Sequence, residues 1–346
     1  MKKQSVLEIA RQLGLELIGN HSLEVEGLAE LDRPVTGRIL YAGPQIRDLF
    51  FLDQGDAFLL AVELKDRVLV DSAKAYLFTD KPQEHFVTLL AIFAKDVDAD
   101  RGVIDPAASV DADVMLGAGV CVGQHAVIRS GSVIGDDTII MPNVFIGSGV
   151  RIGRCCQIHP GVVIGRDCVL GDHVVIASNT VVGTDGFGFY KSEGKPIKIP
   201  HIGNVVIGDH VEIGALCTIS RGTIGSTEIG DHVKTADLVH VAHNVRIGRG
   251  TVIAGQSGIA GSSRIGSGVT LAGQVGIADH VTIGDQVSIG AQSGVASHGH
   301  VPAGSPYFGS PAGPVEKEKR KIAILRKLPE LYADIRKLKK EHPQED

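Results

Sequence analysis

The groups in this chain that could move protons near neutral pH are its fourteen histidines, and its five cysteines are the candidate nucleophiles. Cys121, Cys155, Cys156, Cys168 and Cys217 show no C-x-x-C spacing. Their odd number, behind an N-terminus (Met1-Lys-Lys-Gln-Ser) with no signal segment, predicts reduced thiols and a cytoplasmic protein. Histidine is better suited, because its free pKa of about 6.5 lets it take or give a proton in this range. Several histidines (His125, His159, His173, His210, His232) occupy turn positions of a repeat and need no function to explain them. His243 is different. It follows the inward Val241 by two residues; 18 residues on comes Gly261, then Asp279 beside His280, then Ser297 beside His298. A neutral imidazole above an unobstructed backbone amide suits acyl transfer: the ring accepts a proton from an attacking amine or hydroxyl, and the N–H holds the oxyanion. Zinc is the rival reading, since His240 and His243 form an H-x-x-H pair. Alternation along a strand would send one of that pair inward unless a corner intervenes, and no metal is assigned.

The 18-residue spacing matters because of the element that must carry it. From Ile104 to Val182 every sixth residue is Ile, Val or Leu, often followed by Gly, as in Ile134-Gly135 and Ile164-Gly165. The series restarts at Ile207, slips across Ser220–Glu228, and runs again from Ile229 to Val301 with Thr235 as its one break. A period of six fits neither an α-helix nor an ordinary exposed strand. It predicts a mainly β fold, a parallel β-helix of hexapeptides in which three short strands close a coil of 18 and the aliphatic residue points inward. Residues 18 apart then stack in columns about 4.8 Å apart. His243 and His280, two coils plus one residue apart, should share a corner, with Gly261 between them.

The flanks do not keep this period. Residues 1–100 read as a small α/β domain: a helix capped by Ser5 and Glu8 and ended by Gly14, strands at Ile39–Ala42, Ala57–Val62, Arg67–Val70 and Ala75–Phe78, and a second helix at Glu84–Phe93. Ala94–Arg101 reads as a linker, 101–312 as the β-helix with a loop at 183–200, and 313–346 as a helical extension. Pro329 should kink or split that last helix. Over Glu316–Lys340 ten Lys/Arg face four Asp/Glu, a local +6 in a protein of net charge −6. This segment is either a packing face in an oligomer or a docking surface for an acidic partner. Nothing global suggests nucleic acid, and no apolar run reaches the roughly 18 residues of a transmembrane segment.

Several motifs occur in order: Gly183-Thr-Asp-Gly-Phe-Gly-Phe189, Lys198-Ile-Pro200, Val206–Ala215, Arg221-Gly222, Val241-Ala-His-Asn-Val245 and Gly309-Ser-Pro-Ala312. With the basic tail, they resemble the UDP-3-O-acylglucosamine N-acyltransferase family of lipid A biosynthesis. The resemblance implies a left-handed β-helix and a homotrimer with active sites between subunits. It also implies transfer of a (3R)-3-hydroxyacyl chain from acyl carrier protein to the 2-amine of the UDP-linked sugar, with no cofactor beyond the phosphopantetheine that arrives with the donor. It places the general base at His243, the oxyanion amide at Gly261 and a secondary histidine at His280, and it points to Asp185, Phe187 and Asn244 as substrate contacts. In the N-terminal domain it implies uridine binding. The chain departs from the pattern at Ala236 (with Asp237 beside it), where the family has an Asp that orients the base. It departs again at Ser220, and at Gly43 and Ile46 in a family Asn-Pro-Lys-Tyr stretch. A hexapeptide acyltransferase for another nucleotide-linked amino sugar, a zinc hydratase and a non-catalytic scaffold stay as alternatives.

Overall fold

The computed structural model describes residues 3–94 and 102–341. The chain divides into two compact units, Met1–Asp98 and Ala99–Asp346. In the second, two-residue strands recur every six positions and assemble into three parallel sheets of ten, ten and eleven strands, the last ending in one antiparallel pair. Each strand pairs with the one a full coil later, as in Val127 with Phe145 and Gly258 with Gly276. The aliphatic series points inward as predicted: Ile128, Ile146, Ile164, Val182, Ile219, Val241 and Ile259 are all at most 2% exposed. Each such side chain contributes about 1.5–3 kcal/mol by leaving water. Thr235, the break in the series, is also inward, and its hydroxyl accepts from the Gly214 N–H at 3.2 Å.

The structure adds a second inward position, two residues before each aliphatic one, reserved for small side chains. Where it holds Ser or Thr the hydroxyl is hydrogen-bonded, in the regular coils to a carbonyl 15 residues on, as in Thr138 to Gly153 at 2.8 Å and Ser263 to Ala278 at 2.8 Å, and across the insertion from Thr180 to Gly214 at 2.7 Å. Buried hydroxyls are tolerated because they are bonded. Cys156, Cys168 and Cys217 occupy this position on the three different faces; burial pushes the Cys156 thiol up to about 11 and raises the other two. They are packing groups, not nucleophiles.

The coil is interrupted twice, at one place. Cys217 pairs across 37 positions to Thr180, and Asp237 across 22 to Ala215, so 19 and then 4 residues are looped out of successive 18-residue coils. The larger insertion carries an antiparallel hairpin, Phe189–Ser192 with Lys195–Lys198, where the sequence suggested only a loop. Its turn, Glu193-Gly194, has positive φ at both residues, the tight geometry that suits a two-residue hairpin. Arg221, 2% exposed, holds the insertions: Nε donates to Gly183 O at 2.8 Å, Nη1 to Gly203 O at 3.0 Å and Nη2 to Arg166 O at 2.9 Å.

The first unit is a five-stranded mixed sheet in the spatial order Glu16–Gly19, Ala75–Thr79, Ala57–Ala61, Ile39–Ala42, Leu28–Ala29. Helices α1 (Val6–Leu13) and α2 (Pro82–Phe93) belong to it, α1 capped by Ser5 Oγ and ended by Gly14 at φ 65°. Arg67–Val70 is not a strand: a 3₁₀ turn covers Val62–Arg67, and Leu69 is 93% exposed, because no neighbouring strand is there to pair with it. The predicted linker lies, from Lys95 to Arg101, outside the described residues. In the second unit the chain closes with α3 (Val315–Glu341), which is not split at Pro329. One missing N–H leaves the other bonds of a 27-residue helix in place.

Replacing Arg221 by Met keeps volume but leaves three main-chain carbonyls without their donor. Stability should fall by roughly 3 kcal/mol or more. In denaturant unfolding, the exposed control Arg151→Met should stay within about 0.5 kcal/mol of wild type; equal midpoints for the two variants would overturn this role.

Candidate active site

His243 follows the strand His240–Val241, where the chain turns a corner. The coils above it are locked in register: Ser262 N donates to His243 O at 3.0 Å, and His280 N to Gly261 O at 3.1 Å. A Cβ built on Gly261 would lie 2.7 Å from His243 Nε2 and 2.8 Å from Cε1, so the imidazole lies directly against Gly261. Only glycine allows that approach. Among the described residues the Gly261 N–H makes no hydrogen bond.

The orientation of the ring follows from Asn244. Its Oδ1 accepts from Thr223 N at 3.0 Å and its Nδ2 donates to Ile224 O at 2.8 Å, which fixes the amide's two ends. The same Oδ1 lies 3.2 Å from His243 Nδ1. Since an amide oxygen only accepts, Nδ1 carries the hydrogen and Nε2, beside Gly261, carries the lone pair. Asp237 takes no part: its Oδ1 accepts from Ala215 N at 2.7 Å. Ala236 carries no carboxylate, and the group in contact with Nδ1 is this neighbouring amide.

His243 and Gly261 line a groove of 820 Å³ together with His280, Asp279, His240 and Phe187. A corner does intervene between Val241 and His243, so His240 and His243 face the same groove. Among the described residues no three His, Cys, Asp or Glu side chains converge as metal ligands would. Burial lowers the pKa of His240. His280 sits in the left-handed turn conformation at φ 55° and stacks on His298 at 5.4 Å between centroids. Asp279 accepts from Ser297 Oγ, which holds its carboxyl below the usual range. Gly258 and Gly276 form part of the floor, and a Cβ on either would meet open space, so the groove owes its depth to their missing side chains.

The inserted loop supplies another wall. A Cβ on Gly186 would lie 2.8 Å from His243 Cδ2, so the imidazole is held between two glycines, one from the loop and one from the next coil. Phe187 is 89% exposed at the groove edge and meets Phe189 edge-on at 5.1 Å. Asp185 instead pairs with Lys198 at 2.6 Å, and that hydrogen bond keeps its carboxyl below the usual range. Asn244 likewise spends its amide within the protein, on Thr223, Ile224 and His243. Two residues near the base were not singled out from the sequence: Gly186, and the buried His201, whose ring lies 5.3 Å from that of His243. The Gly-x-Gly of the DGFGF motif was the available signal for the first.

A neutral imidazole poised over a free amide, on a hexapeptide β-helix, defines an acyltransferase of the hexapeptide-repeat class. The bacterial transferase hexapeptide pattern (six repeats) matches residues 131–166, 150–184 and 226–261. The chain is 35% identical over 259 residues to the UDP-3-O-acylglucosamine N-acyltransferase of Coxiella burnetii, covering 74% of each protein. It is 40% identical over 255 residues to UDP-3-O-acylglucosamine N-acyltransferase 1 of Legionella pneumophila, covering 74% of this chain and 71% of that one. The fold is similar to the crystal structure of an Arabidopsis UDP-N-acetylglucosamine acyltransferase, with TM-score 0.57 and 24% identity over 70% of this chain and 85% of that one. The chain belongs to the UDP-3-O-acylglucosamine N-acyltransferase family.

Gly261→Ala tests the central contact. The added methyl meets only the tip of a side chain, so folding should be nearly unchanged while the imidazole is displaced from its amide. A fall in kcat of about a hundredfold with an unaltered melting midpoint is expected; a fully active variant would contradict the geometry.

Proposed function

We propose that this enzyme transfers a (3R)-3-hydroxyacyl chain from the phosphopantetheine thioester of acyl carrier protein to the 2-amine of UDP-3-O-acylglucosamine, in the cytoplasm. The observation that carries the reading is the His243 imidazole held with its basic Nε2 against Gly261. The amine attacks the thioester carbonyl, and His243 Nε2 takes the proton it must lose as the C–N bond forms. The Gly261 N–H donates to the carbonyl oxygen as it becomes an oxyanion. Collapse breaks the C–S bond, and the departing thiolate recovers the proton from His243. His280, one coil further, serves substrate binding at the same groove. The glycine floor accommodates the apolar acyl chain, and Phe187 at its edge covers it.

The other partners follow from the remaining surfaces. In the first unit, a cavity of 490 Å³ is bounded by Tyr41, Gly43, Gln45, Ile46 and Lys81, with the Tyr41 ring stacked on Phe86 at 4.3 Å. We assign the uridine moiety to it. On α3, Ile324, Leu325, Leu328, Tyr332, Ile335 and Leu338 are all at least half exposed. That stripe suits packing between copies in a homotrimer, and the Lys/Arg flank suits an acidic carrier protein.

Two measurements test this reading, with acyl carrier protein loaded with chains of several lengths as donor. His243→Ala should lower kcat by roughly a hundredfold or more in a folded protein, and His280→Ala should cost less and act partly on KM. Near-full activity of His243→Ala would remove the proposed base. Separately, reversing Arg336 and Lys337 to Glu should raise the donor's KM, most strongly at low salt. An unchanged KM in a species that sediments as a trimer would leave α3 only its packing role.

A further inference from the structure

His201 closes the inserted loop and is the only histidine among the fully buried described residues, at 2% exposed. Its Nδ1 lies 2.9 Å from Ile199 O, and since a carbonyl only accepts, Nδ1 carries the hydrogen and Nε2 the lone pair. That Nε2 is buried and unbonded. The only other such side-chain atom among the described residues is Arg38 Nε, a donor in the first unit. An unpaired buried acceptor is costly, so its place is informative. It is next to the base: the two imidazoles lie 5.3 Å apart at 71°. A Cβ on Gly186 would come 2.7 Å from His201 Nε2 and 2.8 Å from His243 Cδ2, so the bare loop backbone is all that fits between lone pair and ring. Gly188 is similarly constrained, with its Cβ position 3.1 Å from His201 Cε1.

We infer that His201 is a positioning residue for His243, turning the negative end of a neutral imidazole toward the ring that becomes a cation during proton transfer. The inference rests on His243 being the base. Excluded water makes such a fixed dipole effective, because no solvent must reorganise when the charge appears. The ring also fills the space behind Gly186 and so keeps His243 from rotating off Gly261. The other titratable and charged groups around the pair are His240 on the strand before the base and Asp279 and His280 lining the same groove. On the loop side they are Asp185, paired with Lys198, Arg221, and Arg166, whose Nη2 donates to His201 O at 3.4 Å. His201 itself helps hold the Asp185 carboxyl low, behind the larger effect of Lys198.

His201→Phe keeps a buried ring and removes the lone pair. We expect kcat to fall roughly tenfold with little change in the acceptor's KM, and the acidic limb of kcat/KM, which reports the free base, to move to lower pH because the imidazolium is less stabilised. His201→Gln, which restores an acceptor, should return the limb toward wild type. A His201→Phe enzyme with wild-type kcat and an unmoved limb overturns the inference, and leaves the base assignment standing if His243→Ala is inactive. Nitrogen-15 NMR of histidine-labelled wild-type protein checks the premise without any variant. An unprotonated Nε2 on His201 at neutral pH is expected; a protonated one sinks the proposal even if His201→Phe does not fold.

Discussion

The parallel, in-register stacking of 18-residue coils is the constraint from which the site follows. Each coil's backbone donates to and accepts from its neighbours, and the Ile/Val column inside keeps the registers from slipping, since a one-residue shift would turn every aliphatic side chain outward. Strand spacing of about 4.8 Å then sets the distance between His243 and the coil above it. At that spacing an imidazole fits against the next coil only if the facing residue has no side chain. Gly261 is that residue, and its free N–H comes with it. The same spacing produces the His173, His210 and His232 stack, with centroids 4.6 and 4.9 Å apart, at a surface corner. There the ladder places imidazoles together without a groove, and nothing chemical follows. Proximity comes from the coil; the active site needs proximity and an enclosing wall.

The wall comes from the departures from the repeat. Two successive coils loop out residues on the same side, and the 18-residue register returns immediately afterward, with Glu228 pairing to Arg246 and His240 to Gly258. Arg221 makes this possible by using its three donor nitrogens on carbonyls that the broken ladder would otherwise leave unpaired. The larger insertion then folds back as a hairpin, closed at its root by Asp185 and Lys198, and delivers Gly186 and His201 against His243. The His243 ring therefore has the Asn244 amide at Nδ1, the His201 imidazole beside it and glycine backbone on either side. The nearby carboxylates of Asp185 and Asp279 are already bonded to Lys198 and Ser297. Three of the five cysteines, Cys156, Cys168 and Cys217, are buried with raised pKa values.

Much of this was readable before any coordinates. The hexapeptide period determined the coil, because a side chain that must point inward every sixth residue leaves few other solutions. It also determined which residues share a column, and so brought His243, Gly261 and His280 together from numbering alone. The two helices and the three central strands of the first unit followed from caps and apolar runs; the edge strands Glu16–Gly19 and Leu28–Ala29 were not anticipated, and Arg67–Val70 was expected but is not a strand, because an apolar run becomes one only where a partner edge exists.

Tertiary structure decided what depends on long-range contact. The column shows that His243 lies under Gly261, but which nitrogen is basic depends on Asn244 Oδ1, whose own orientation is set by Thr223 and Ile224, some twenty residues away. The resemblance points to Asn244 and Asp185 as substrate contacts; folding also gives each a partner inside the protein, Thr223, Ile224 and His243 for the first and Lys198 for the second. Nothing in the sequence singled out His201, and only the return of the hairpin buries it beside the His243 ring. Local pattern governs what repeats along the chain. An inserted loop has no period, so the positions of its side chains are set by where its ends are tied and by what it meets on the way back.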